Sequence, residues 1–411
     1  MRKIDLPIIL DGKPVEKITA FLFHAGGNND PQRLIANQDK SFQGSIVLGM
    51  GFTFDDGNPD ATSIDEMHRL IQKDPRNQDR IFPYIGGEDV NSSPTHAHDR
   101  YAINFGEMSE EEAREWLDLM SIVEEKVKPE RMKQKDRGGQ EKWWQFLRPR
   151  SEMNRAIESL DWALVVARHQ PQWSVALMPS NIVFSEALVV FALNQYPAFC
   201  TIQSRIHELW ARFFGSSMKD DLRYTPSDCF ETFPFPENWE TNRELESIGQ
   251  EYYEFRAALM IRNNQGLTAT YNRFHDPEDD DADILKLRQL HTQMDTAVLA
   301  AYGWTDISTT CEFRLDYEDE EPSDTQPIEG KRQRKKPWRY RWPEATHDEV
   351  LARLLELNQH RHEVEILGGK QAEKKANKSK AKGTKAKKLK GVTVEKQLNL
   401  IPPDVEQLDM F

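Results

Sequence analysis

The chain has 411 residues, with 54 Lys and Arg against 68 Asp and Glu and a formal net charge of −14 at pH 7. That length allows two or three domains with their own cores. Three cysteines, Cys200, Cys229 and Cys311, with no CxxC pair and no histidine cluster at ligand spacing, exclude a disulfide framework and a structural zinc site. The polar amino terminus is no signal peptide and no apolar run reaches the length of a membrane span, so a cytoplasmic protein with no membrane partner is expected.

In chain order, residues 1–40 read as an irregular lead-in with turns at Asp11-Gly12-Lys13-Pro14 and Gly26-Gly27-Asn28-Asn29. SFQGSIVLGMGFTF from Ser41 to Phe54 mixes Gly with β-branched and aromatic residues, which predicts short strands meeting at tight turns. A short helix is expected over 63–73, then a strand and turn in FPYIGGEDV at 82–90. Ser109 stands three residues before Glu112, a capping box opening a helix whose apolar face is Trp116, Leu119, Met120 and Val123. A basic linker, Trp143-Trp144 and Arg148-Pro149-Arg150 lead to a helix from about Ser151. The Val-rich runs WALVVARH and WSVALMPSNIVFSEALVVFAL are buried strands with a turn near Pro179-Ser180-Asn181.

A helix over 198–214 is expected to stop at a left-handed Gly215, and Phe233-Pro234-Phe235-Pro236 makes a rigid exit. Beyond it the sequence is helical, with one helix ended by Gly303 and a last one from Thr346 opened by a second capping box, Thr346 and Glu349. The fold class is therefore α+β: a mixed α/β domain, a helical domain and a tail. Residues 370–390 carry ten Lys against one Glu and 391–411 one Lys against four acids, which leaves −20 on residues 1–369. The Lys-rich run cannot build a core and is expected to be disordered.

No self-sufficient catalytic site is expected. Gly44, Gly49 and Gly51 lie in a strand-rich segment without the helix that a cofactor loop needs, and Ile401-Pro402-Pro403-Asp404 has the wrong neighbours for a base-flipping methyltransferase loop. Glu124 and Lys126 match the pair of a metal-dependent nuclease but belong to an amphipathic helix. DPEDDDAD at 276–283 lacks the Gly turn and terminal Glu of a calcium loop. His24, His96, His98, His360 and His362 show no nucleophile–base pairing.

Ser204, His207 and Trp210, then Gly215, Arg223-Tyr224-Thr225 and Phe233-Pro234-Phe235-Pro236 occur in an order that resembles the end of the target-recognition region of MmeI-like DNA adenine methyltransferases of restriction-modification and phage-defence systems. LTATYNRFHDP, the His of LRQLHTQMD and AVLAAYG resemble that family's C-terminal helical segment, and SFQGSIVLGMGF and PYIGGEDV its upstream recognition region. The resemblance covers most of residues 41–360. It implies a lead-in at 1–40 continuing from a catalytic region before Met1, a target-recognition domain at 41–240, a helical domain with a basic-aromatic linker at 241–345, a helix at 346–367 and the tail at 368–411. It further implies site-specific recognition of double-stranded DNA for adenine-N6 methylation. No cofactor is expected on this chain; S-adenosylmethionine belongs on a catalytic partner chain or an upstream segment.

Sequence-specific binding needs side chains on base edges and Arg, Lys or backbone N–H groups on phosphates. Arg148, Arg150, Arg168, His169, Ser180 and Asn181 lie at the edges of the expected recognition strands. Ser216, Ser217, Lys219, Arg223, Tyr224 and Thr225 offer donors from the corner before the Phe-Pro exit. KRQRKKPWRYRWP at 331–343 interleaves seven basic residues with Trp338, Tyr340 and Trp342, so Arg339, Tyr340 and Arg341 can clamp a backbone or, alternatively, dock their aromatics on the helical domain. Gln407, Leu408, Met410 and Phe411, in the last five residues QLDMF, resemble the short peptide by which bacterial DNA-processing proteins dock into the sliding clamp; QLNLI from Gln397 is similar. The acidic body keeps a second class open, an adaptor or DNA-mimic inhibitor, and a non-functional C-terminal fragment is a third.

Overall fold

The computed structural model describes residues 8–10, 12–24, 27–218, 221–315 and 338–387, with the backbone alone at 13, 216–218, 221 and 370–387. The two Val-rich runs pair with each other, as their β-branched composition favours. Trp162–Ala167 lies between Leu188–Phe191 and Ala176–Pro179, antiparallel to both, and Ser41–Gln43 adds to the outer side of Leu188–Phe191. Ala163, Leu164, Val165 and Val166 are all fully buried, which explains the unbroken apolar run in place of an alternating one. A second four-stranded sheet orders Val183–Phe184, Ile81–Ile85, Arg100–Ile103 and Thr53–Phe54, the first pair parallel. The ladder between Ser216–Met218, Asp221–Arg223 and His169–Gln170 makes a third.

One hydrophobic core joins the central sheet to the helices behind it: Leu164 and Val190 share it with Trp210, Leu259, Met294 and Leu354. A separate core gathers Phe52, Phe54, Leu70, Phe105, Leu119, Val123, Trp143 and Trp144 around the second sheet. Gly249 lets helix Arg243–Asn263 close on helix Tyr196–Gln203, since a Cβ there would stand 2.5 Å from the carbonyl of Tyr196. Among the described residues no helix is long and apolar enough to cross a membrane.

Several local expectations hold. Ser109 Oγ accepts from the Glu112 N–H at 3.3 Å while the Glu112 carboxylate accepts from the Ser109 N–H at 2.8 Å, and Gly303 has φ +77°. Others are corrected. The capped segment is two helices, Glu110–Ala113 and Leu117–Lys126, and GGEDV after its strand forms the short helix Gly87–Ser92. The expected helix over 198–214 breaks at an extended Ser204 into Tyr196–Gln203 and Arg205–Phe214, because Asp295 from a neighbouring helix accepts from the Arg205 N–H at 2.9 Å and caps the second piece.

Gly215 is not left-handed, with φ −72° and ψ 163°; it is needed for space, a Cβ meeting the Ala211 carbonyl at 2.3 Å. The second capping box does not form. The last helix, Glu344–Lys387, starts two residues earlier after Pro343, and Glu349 pairs with Arg353 at 2.6 Å and with His24 at 3.1 Å. The lead-in is fastened to the Phe-Pro corner, with Asn37 Nδ2 donating to the carbonyls of Phe233 at 2.7 Å and Phe230 at 3.1 Å.

Candidate nucleic-acid interface

Three segments distant in sequence meet at one edge of the central sheet. The strand Asp221–Arg223 pairs with His169–Gln170 so that Arg223 stands opposite His169, and the Tyr224 N–H donates to the Arg168 carbonyl at 2.9 Å. Arg150 arrives from the other side. It is a non-glycine residue in the left-handed region, φ 56° and ψ 52°, at the start of helix Ser151–Ile157. That conformation lets Nε donate to the Gly44 carbonyl at 3.3 Å and Nη2 to the Gln43 side-chain oxygen at 3.2 Å. Gln43 in turn donates to the Glu186 carbonyl at 3.2 Å.

The result is a group of guanidinium groups that repel one another. Burial, then the charges of Arg223 and Arg150, push the Arg168 guanidinium below its ordinary value, with Glu186 opposing them. Among the described residues none of Arg150, Arg168 and Arg223 forms an ion pair, and the buried Nε of Arg223 has no acceptor. His169 is exposed beside them and Thr225 is half-buried one turn further. Cations collected without direct ion pairs among the described residues are suited to a polyanion, and a strained backbone at Arg150 is the kind of cost found at binding sites.

Adjoining the cluster through Pro149 is a cleft of about 540 Å³ with a mixed lining, whose polar residues include Ser45, Asn104, Asn154, Ser180 and Asn181. Asn181 is exposed at the expected turn, while the Ser180 hydroxyl already donates to the Leu160 carbonyl. Arg148 points elsewhere: its guanidinium donates to the Leu147 carbonyl at 2.8 Å and is 3.9 Å from Asp136. Asn104 and Asn154 escaped sequence reasoning because single asparagines carry no spacing signal.

The remaining expected residues are placed differently. Tyr224 is a core residue rather than a surface donor: it is fully buried, its ring lies 5.3 Å from Trp173, and its hydroxyl meets His207 Nε2 at 2.9 Å. Ser216 and Ser217 lie on the hairpin strand beside Arg223, and Lys219 lies outside the described residues. Of the basic-aromatic run, 331–337 lies outside them too. Strand Trp338–Arg341 docks on the helices, the alternative to a backbone clamp. Arg339 donates to Gln172, the Tyr340 ring packs on Phe274 and Phe313, Arg341 is 3.2 Å from Glu344, and Trp342 is buried. Gln407, Leu408, Met410, Phe411 and the peptide from Gln397 are outside the described residues.

No curated protein matches the chain. A solved structure of the type IIL restriction-modification enzyme MmeI in complex with DNA shares its fold, with a TM-score of 0.53 at 17% identity; the likeness covers 85% of this chain and 39% of that one. A family model of the MmeI target recognition domain matches residues 29–237, which include the three sheets described above, the arginine cluster and the Phe-Pro corner. The match spans just over half of the 411 residues, and on that ground the chain belongs to the MmeI target-recognition-domain family.

Proposed function

We propose that the chain is the DNA sequence-recognition portion of a site-specific adenine-N6 methyltransferase of a restriction-modification or phage-defence system. The observation that carries this reading is the convergence of Arg150, Arg168 and Arg223, without ion-pair partners among the described residues, beside a cleft whose wall includes asparagine and serine. The arginines take the phosphate backbone and set register, and the exposed side-chain amide of Asn181 offers the paired donor and acceptor that reads an adenine edge, while Asn104 accepts from the Gly106 N–H and Asn154 donates to the Pro149 carbonyl. The methyl transfer and its S-adenosylmethionine belong to a catalytic chain or an upstream segment, and no residue of this chain is assigned to the cofactor. The solved MmeI enzyme is a complex with DNA, which supports the same reading.

Binding of the purified chain to a pool of random duplexes tests it. Enrichment of one short motif is expected, and an unenriched pool after repeated selection would remove the reading. The adaptor or DNA-mimic alternative rests on the −20 charge of residues 1–369. It predicts the opposite behaviour, with no duplex bound and competition against DNA for a basic partner. For the tail, docking of Gln407, Leu408, Met410 and Phe411 into a sliding clamp is part of the proposal; a peptide with Met410 and Phe411 both changed to Ala should lose affinity for purified clamp.

A further inference from the structure

One carboxylate stands inside the arginine cluster at the sheet edge. Glu186 is exposed in the turn between strands Val183–Phe184 and Leu188–Phe191, and each residue of that turn is held. Ser185 is buried; its N–H donates to the Ile85 carbonyl at 3.0 Å, its carbonyl accepts from the Leu188 N–H at 2.9 Å and its hydroxyl from the Ala187 N–H at 3.3 Å. The Ala187 carbonyl accepts from the Arg168 N–H at 2.7 Å, and the Glu186 carbonyl from Gln43 Nε2 at 3.2 Å. Since the Gln43 side-chain oxygen accepts from Arg150 Nη2 at 3.2 Å, one amide joins Arg150 to the backbone of Glu186.

The Glu186 carboxylate itself is uncommitted. Among the described residues it has neither an ion pair nor a hydrogen bond, although Arg150 and Arg168 are tied to its own turn. Its charge acts in two directions: it opposes Arg223 and Arg150 at the Arg168 guanidinium, and together with the larger effect of burial it pushes the Tyr84 hydroxyl above its ordinary value. Negative charge beside groups that meet a polyanion lowers affinity for every duplex. A group that lowers general affinity while favouring one base widens the gap between right and wrong duplexes. An ionised carboxylate has acceptors only, which decides the base. In the major groove guanine shows it two acceptors, thymine an acceptor and a methyl group, and adenine a donor with the N7 acceptor alongside; cytosine shows the N4 donor with no acceptor on its own edge.

We propose that Glu186 is a specificity-determining residue that accepts a hydrogen bond from the N4 amino group of a cytosine in the major groove, and so selects C at one position of the recognised site. The inference rests on the DNA-recognition reading above and adds to it one residue with a stated base. The arginines grip the backbone without regard to sequence, and the pinned turn fixes the point from which the carboxylate reaches the base edge.

Selection from a random duplex pool with the full chain tests it, comparing wild type with Glu186→Ala and Glu186→Gln and then measuring affinity for the selected motif and its single-base changes. Wild type should prefer C at one position by about tenfold or more. The Ala variant should lose that preference at that position alone and bind non-cognate duplexes about twofold more tightly, because a negative charge has gone. The Gln variant, with a donor beside its acceptor, should move the preference at the same position to A. Glu186 is engaged only through its backbone, so both variants should melt with wild type. A motif identical in all three chains, with affinity raised alike on every duplex, overturns the proposal and leaves Glu186 as a damper of the arginine charge. A wild type that enriches no motif removes the DNA reading and this inference with it, whereas a wild-type motif kept by both variants removes this inference alone.

Discussion

Behind the central sheet, Arg256 is buried and held through both terminal nitrogens, with only Nε lacking an acceptor: Nη1 donates to Gln203 at 3.0 Å and to the Tyr271 hydroxyl at 3.1 Å, and Nη2 to the Val175 carbonyl at 2.5 Å. Arg288 ties the Arg273–Asp279 loop through the carbonyls of Phe274 at 2.9 Å and Asp276 at 2.7 Å, and Arg205 holds Asp295. At the sheet edge, Arg150, Arg168 and Arg223 face one another instead, and none of them has a carboxylate as an ion-pair partner among the described residues. The same side chain therefore does two jobs. Where protein oxygens complete its hydrogen bonds, a guanidinium joins elements together; where they do not, its charge is left available to a ligand.

The sharpest way to break that contrast is to remove a partner on the buried side. Asp295 lies at the centre of the network, accepting from the Arg205 backbone at 2.9 Å and from its guanidinium at 2.7 Å. Asp295→Ala leaves a buried guanidinium uncompensated and uncaps a helix, and should cost about 3–5 kcal/mol of stability in urea unfolding. A cost within about 1 kcal/mol would show that the pair is not structural. At temperatures where the variant remains folded, duplex affinity should be unchanged.

The second largest effect is with pH. Burial pushes the imidazoles of His207 to about 3 and of His96 and His347 to about 4, so these rings are neutral in the fold and charged once unfolded at acid pH. The unfolded chain then binds more protons between those values and about 6.5, and stability is lost as pH falls through that window. Burial also pushes the Asp295 carboxyl up to about 6, against the pull of Arg205. Its contribution has the opposite sign, present at low pH and lost as pH rises through about 6, but one carboxyl does not offset three histidines. His207→Gln should therefore flatten the stability–pH profile, recovering about 2 kcal/mol of the loss between pH 7 and pH 5. An unchanged slope would remove His207 from the account.

Arg223→Ala tests the edge cluster directly. If the edge cluster meets the phosphate backbone as proposed, the variant should weaken binding about tenfold on every duplex alike and lower the salt slope by about 1, with little change in urea stability, because Arg223 has no ion pair among the described residues. A variant that lost stability and kept its affinity would make the edge structural.

Local chemistry was legible in the residues: the Val-rich strands, the Ser109 cap and the position of the Phe-Pro corner follow from patterning and turn residues. The pairing of His169 with Arg223 was not, since register between strands far apart in sequence is set by tertiary packing. Arg-Tyr-Thr reads as three polar donors, but strand alternation sends Tyr224 into the core between two outward-facing neighbours. Nothing in the sequence singles out Asp295 or Arg256, because a charge buried by a partner from another helix leaves no periodic trace. The cluster itself was half visible: Arg150, Arg168 and Arg223 were each picked out, and only the fold shows that they belong together and that Arg148 does not.

Arg148→Ala should therefore have the smallest effect of these changes, although it is adjacent to the cluster in sequence. Its side chain is exposed, 3.9 Å from Asp136, and donates to its own neighbour's carbonyl, so truncation should change stability by less than about 0.5 kcal/mol. Duplex affinity should fall by no more than about twofold, through the general field alone. Combined with Arg223→Ala the losses should add, since the two groups share no partner. A drop as large as that of Arg223→Ala, or a double variant no weaker than either single one, would mean that bound DNA draws Arg148 off Asp136 and into the cluster, and the boundary drawn here between the two arginines would have to move.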